Sequence, residues 1–174
     1  DTVRFLRSAL TGAKTNGDYR GFASHGFRLG VKVPDEGRVP IFVAALREGM
    51  LRLAGREADG AIINWLSAND VATVAPIVQA QGQSDGQSEG KEIVARIFVA
   101  PTTDRDTVMA LGRYAIAAYL SVPVYAEFHR WLGRGELLQP MWDLWAAGDR
   151  KGALAAIPDE LVDALIVHGS PEAC

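Results

Sequence analysis

The stretch PIFVAALREGMLRLAGREADGAIINWL, from Pro40 to Leu66, constrains the fold more than any other part of the sequence. Two apolar runs flank a charged segment in which Met50, Leu51, Leu53 and Ala54 recur at helical spacing. The spacing predicts a strand over about Ile41 to Ala45 and a helix over Glu48 to Glu57; Ala58-Asp59-Gly60 then turns into a second strand, AIINWL. The pattern then repeats. Asn69-Asp70 start a helix to about Gln81, with Val71, Val74, Ile77 and Val78 on one side, and EIVARIFVAP reads as a third strand interrupted only by Arg96. Behind it, TTDRDTVMALGRYAIAAYLSV offers an N-cap at Thr103 or Asp104 and a long helix, which Pro123 kinks or restarts into VYAEFHRWL.

Strand alternating with helix, joined by short connections, is the signature of an α/β fold with parallel β/α units. No strand end reads G-x-G-x-x-G; the ends are AALRE, NWLSAND and APTTDRD. That favours a β/α barrel over an open doubly wound nucleotide-binding sheet. Three strands cannot close a barrel, which needs eight. The flanks differ from this pattern. An opening helix over about residues 1 to 12 leads to a Gly- and Asn-rich loop or short hairpin packed by Tyr19, Phe22 and Phe27. Residues 82–91 read as a flexible polar loop, and 133–174 as a wholly helical segment. The chain begins directly in a helical pattern and ends on Ser170-Pro171-Glu172, which reads as the start of a helix, so residues 1–174 are expected to form a single partial domain of a longer protein.

Composition narrows the function classes. A net charge of −3 from interspersed charges provides no electrostatic footprint for nucleic acid or an anionic membrane. No apolar run reaches the roughly 18 residues of a membrane span, and the default location is the cytoplasm. The one cysteine, Cys174, and the scattered His25, His129 and His168 give no metal-ligand spacing.

In a parallel sheet, chemistry gathers at the carboxyl ends of the strands, where helix N-termini present unpaired amides. Ala44 and Ala45 are small where a ligand would approach the backbone, though packing of the rim explains them equally. At the next strand end Asn64 and Trp65 point to opposite sides, because side chains alternate along a strand. The amide belongs at the mouth, where a ligand or water satisfies it, and the indole belongs against the helices. Arg96 reads first as one side of a structural ion pair low in the sheet. His129, beside Glu127 and Arg130, reads as a surface residue of an amphipathic helix, with a general-base role as the sharper alternative. Trp142 and Trp145 fit core packing.

The segment VPIFVAALREGMLRLAGREADGAIINWLSANDV closely resembles the bacterial luciferase-like monooxygenase family, in particular its coenzyme F420-dependent oxidoreductases. The resemblance rests on Val43-Ala44-Ala45, on Met50-Leu51-Arg52-Leu53-Ala54-Gly55 and on Ala58-Asp59-Gly60; ARIFVAPTTDRD and SVPVYAEFHRWLG extend it over most of the chain. It implies a TIM-type β/α barrel of which this chain holds the C-terminal half, about strands five to seven, with the eighth beyond Cys174 and the residues nearest the hydride before Asp1. By the same resemblance Ala44, Ala45, Leu46 and Arg47, with Asn64, Trp65, Leu66 and Ser67, lie along the phosphate-bearing side of the cofactor. Tyr125 and His129, with Trp131, are substrate-side candidates, and no catalytic residue is assigned. Many family members carry Gly-Pro where this chain has Arg47-Glu48, so the Arg47 side chain stands where backbone approach is usual. The resemblance implies hydride transfer between coenzyme F420 and a small organic substrate in a homodimer, inactive as this fragment alone. FMN-dependent monooxygenation and a non-catalytic interaction module are the alternatives.

Overall fold

The computed structural model describes residues 1–31, 39–82 and 90–174. The expected 82–91 loop therefore lies, for its central part 83–89, outside the described residues. Helix α1 (Thr2–Ala9) precedes an antiparallel hairpin of β1 (Thr15–Tyr19) and β2 (Phe22–Phe27). Phe5 of α1 packs edge-on against Tyr19 and Phe22, so aromatic rings join the helix to the hairpin.

The central units follow in order: β3 (Phe42–Ala44), α2 (Glu48–Glu57), β4 (Gly60–Ile63), α3 (Ala68–Gly82) and β5 (Glu92–Ala95). The three strands form one parallel sheet in the order β3-β4-β5. Ala61 and Ile63 face the helices, and with Leu51, Ala54, Val74, Val78 and Phe128 they form a buried core. Gly55 lets α2 and α3 approach: a Cβ there would stand 2.2 Å from the Val78 carbonyl oxygen. Arg4 pairs with Glu57 and Arg7 with Asp59, which ties α1 to the end of α2.

The third predicted strand is split. Its ladder breaks at Arg96-Ile97 and resumes as β6 (Phe98–Ala100), which pairs with a different neighbour. That neighbour is β7 (Ile166–His168), parallel to β6. The segment 133–174 is thus not wholly helical: it contains a further parallel strand, β7. Between them lie α4 (Arg105–Leu120), capped by the Asp104 carboxylate, then α5 (Pro123–Trp131), α6 (Gly135–Ala146), α7 (Arg150–Ala155) and α8 (Asp159–Leu165). Pro123 restarts the helix, since α4 and α5 meet at 102°. No single helix among the described residues is long and apolar enough to cross a membrane. These helices enclose a second core around Ile116, Leu120, Leu138, Met141, Ile157 and Val162, into which Trp65 also reaches. The Trp142 indole N–H donates to the Leu120 carbonyl at 2.8 Å, so that tryptophan is a core residue.

Candidate functional site

A cavity of about 680 Å³ opens at the carboxyl ends of β3, β4 and β5, within the usual range for small-molecule sites. Ala44, Ala45, Leu46 and Arg47 line one side, continuing into Glu48, Gly49 and Met50 of the first turn of α2. Asn64, Arg96 and Tyr125 line it as well, so two predicted strand ends meet at one rim.

The loop after β3 is open. Arg47 is the N-cap of α2 in an extended conformation and makes no side-chain cap. The first bond of the helix runs from the Leu51 amide to the Arg47 carbonyl, so the amides of Glu48, Gly49 and Met50 have no acceptor among the described residues. All three residues line the cavity, and a Cβ on Gly49 would meet nothing within 4 Å. The charges here are engaged sideways. Glu48 pairs with Arg52, and Arg47 stands 3.8 Å from Glu127 with both side chains about half exposed.

The loop after β4 is closed. Asn64 faces the cavity and donates from Nδ2 to the Tyr125 hydroxyl at 3.2 Å, while its Oδ1 accepts the Trp65 amide at 3.0 Å. Trp65 turns the other way and is 1% exposed, its ring against Phe98 and Tyr119. Its indole N–H has no partner among the described residues, and ring packing holds it. The backbone at Trp65 is left-handed, with φ of 54°. His129 reaches its carbonyl: Nε2 lies 2.9 Å from the Trp65 oxygen, which can only accept, so the ring carries its hydrogen on Nε2.

Ser67 and Asp70 form a capping box at the start of α3, with Ser67 N and Oγ donating to Asp70 Oδ2 at 2.7 and 2.8 Å and Asp70 N donating to Ser67 Oγ at 3.3 Å. Arg134 Nη2 adds bonds to both Asp70 oxygens at 3.1 and 2.8 Å. Burial alone would raise the Asp70 pKa, but Arg134 and Ser67 outweigh it and hold the carboxyl below its ordinary value. The His129 pKa is lowered too, which for a base favours the neutral form: burial first, and the nearby Arg134 charge second, push it down to about 4.

Several expectations change accordingly. His129 is fully buried and lies outside the cavity lining, because its helix also packs against the β4 loop; it is not a surface residue. Trp65, Leu66 and Ser67 do not line the cavity: Trp65 packs into the helical core, Leu66 packs on the core beneath the sheet, and Ser67 is committed to Asp70. Arg96 forms no ion pair among the described residues and lies with its guanidinium 4.5 Å from the Phe98 ring centroid. The unpaired amides expected at helix N-termini are found at Glu48 to Met50; the Asp70–Arg134 pair was not singled out from sequence. Nothing local marked the pair, whose members lie 64 residues apart.

An α/β frame with a cavity at its strand ends, a glycine-lined helix N-terminus and donors around the mouth is the arrangement that small-molecule-binding β/α proteins use. Residues 1–174 match the luciferase-like monooxygenase model throughout, and the chain belongs to that family, with its TIM-barrel-type α/β fold. It is 26% identical over 180 residues to the 5,10-methylenetetrahydromethanopterin reductase of Archaeoglobus fulgidus, covering 99% of this chain and 52% of that protein. The enzyme of the same name from Methanolobus tindarius is 24% identical, with 100% and 53% covered. This chain therefore spans about half the length of these relatives. Among solved structures, the coenzyme F420-dependent tetrahydromethanopterin reductase of Methanopyrus kandleri superposes with a TM-score of 0.72 at 19% identity, covering 97% of this chain and 49% of that one. An F420-dependent secondary alcohol dehydrogenase bound to an F420-acetone adduct superposes at 0.65 and 15%, covering 98% and 48%.

Proposed function

We propose that this chain is the C-terminal half of a barrel oxidoreductase that moves a hydride between coenzyme F420 and an organic substrate, with β7 as the barrel's last strand. The observation that carries the reading is the open first turn of α2. Three unclaimed amides, the positive end of the helix dipole, small Ala44 and Gly49, and the Arg47 guanidinium border one cavity. These groups fit the phosphate-bearing arm of a deazaflavin cofactor. Ala44 and Gly49 would admit it, the amides of Glu48, Gly49 and Met50 would hold its oxyanion, and Arg47 would turn from Glu127 toward it. The bound deazaflavin would supply the hydride-carrying carbon. This chain's part is to orient the cofactor and to exclude water from one side, with Asn64 and Tyr125 facing the substrate. The F420 dependence of the two similar solved structures supports the cofactor choice over FMN.

Fluorescence titration of the whole barrel with F420 and with FMN tests this. Saturable F420 binding with weaker FMN binding is expected; preferential FMN binding overturns it. A second reading draws on the exposed apolar residues of the strands, where Ile62, Val94, Val99 and Val167 are 39%, 39%, 50% and 42% exposed: a module that only covers a partner. Absence of any cofactor binding by the whole barrel would favour it.

A further inference from the structure

The cavity has a second electrostatic feature, apart from the start of α2. Among the described residues its lining holds three charged side chains, of which Arg47 faces Glu127 and Glu48 pairs with Arg52. Arg96 is the third, and it meets no carboxylate among the described residues. It sits where β5 ends and β6 begins, its backbone amide still donating to the Ile63 carbonyl at 3.1 Å, so the strand break brings it to the mouth. The Phe98 ring beneath the guanidinium, 4.5 Å away, supports one face and leaves its N–H edge free.

The neutral groups beside it have the same polarity. The Asn64 side-chain oxygen accepts the Trp65 amide, and with one Nδ2 hydrogen given to Tyr125 the other remains as a donor for the cavity. The Tyr125 oxygen already accepts from Asn64, which leaves its O–H to donate. Arg96, Asn64 and Tyr125 thus offer donors to one cavity, and the single carboxylate in the lining is engaged elsewhere. A site furnished with donors selects a ligand rich in acceptors, and guanidinium selects carboxylate or phosphate most strongly.

We infer that Arg96, with Asn64 and Tyr125, binds an oxyanion of the substrate, a carboxylate or a phosphate, so that the enzyme acts on an acidic small molecule. The inference rests on the oxidoreductase reading for the word substrate, though not for the binding site itself. Calorimetric titration of the whole barrel, saturated with F420 and free of it, with inorganic phosphate and with acetate tests it. Either probe is expected to bind in both states, with Arg96→Met weakening it by about tenfold or more and Arg96→Lys restoring part of the loss. F420 affinity of Arg96→Met should stay within about twofold of the parent, which also certifies that the variant is folded. Arg96-dependent probe binding in a protein that fails to bind F420 would sink the cofactor reading and leave the oxyanion site standing. Undiminished probe binding by Arg96→Met overturns the inference. So does competition between phosphate and F420 with parallel loss of both in that variant, because the oxyanion would then belong to the cofactor.

Discussion

The loops after β3 and β4 end neighbouring parallel strands and border the same cavity, yet they are built in opposite ways. After β3, the helix starts without a side-chain cap, Ala44, Arg47, Glu48 and Gly49 are exposed, and three amides lack acceptors among the described residues. After β4, nearly every polar group is committed: Asn64 to Tyr125 and Trp65, the Trp65 carbonyl to His129, Ser67 to Asp70, and Asp70 to Arg134. The first loop is left open, as the proposed cofactor site requires. The second is fixed by partners from α5 and from the turn after it, and it aims one amide at the cavity. Within one rim, polar satisfaction separates the part proposed to bind from the part proposed to position.

Breaking the closed loop should cost most. Asp70→Ala leaves the Arg134 guanidinium, 16% exposed at its side chain, without its carboxylate, and should destabilise the protein by about 3–5 kcal/mol in urea unfolding. Acid should act on the same network. His129 is neutral when folded, with a pKa of about 4, and ordinary when unfolded, so the unfolded chain takes up the proton first. Its contribution is complete above about pH 6.5 and is lost as pH falls toward 4, a change on the order of 3 kcal/mol. Asp70 adds in the same direction, since a depressed carboxyl loses its contribution as pH falls through its folded value. Unfolding curves between pH 7 and 4 would show the slope, and His129→Gln should flatten it.

The order of strands and helices was legible in the sequence because apolar periodicity changes sharply at Ala45, Asp59 and Asn69. Asn64 and Trp65 were also placed on their correct sides, since strand alternation and the differing demands of an amide and an indole decide that locally. What stayed hidden depends on distant partners. The strand Ile166–His168 continues a helical pattern and is extended only because β6 offers it a ladder. His129 looks exposed between Glu127 and Arg130, but α5 turns that face onto the Trp65 carbonyl. The left-handed φ at Trp65 has no sequence marker at all, as a glycine or asparagine would have given.

Changes in the open loop should barely affect stability while altering binding. Arg47→Ala removes an ion pair 3.8 Å long between half-exposed side chains, worth under about 1 kcal/mol, yet it should weaken F420 binding severalfold in a fluorescence titration. Gly49→Ala has the smallest expected cost: its Cβ meets nothing, and alanine suits a helix better by up to about 1 kcal/mol. The same methyl points into the proposed cofactor path, so a variant as stable as the parent or more so should bind F420 less tightly. Equal loss of stability in Arg47→Ala and Asp70→Ala would erase the contrast between the loops.

The division of labour at the rim is tested most directly by hydrogen–deuterium exchange on the whole barrel, with and without saturating F420. Exchange should slow at the amides of Glu48, Gly49 and Met50 on cofactor addition, whereas the amides of Trp65 and Ser67, bonded to Asn64 and Asp70 beforehand, should be protected equally in both states. Cofactor-dependent protection confined to residues 65–67, with the first turn of α2 unchanged, would contradict the account.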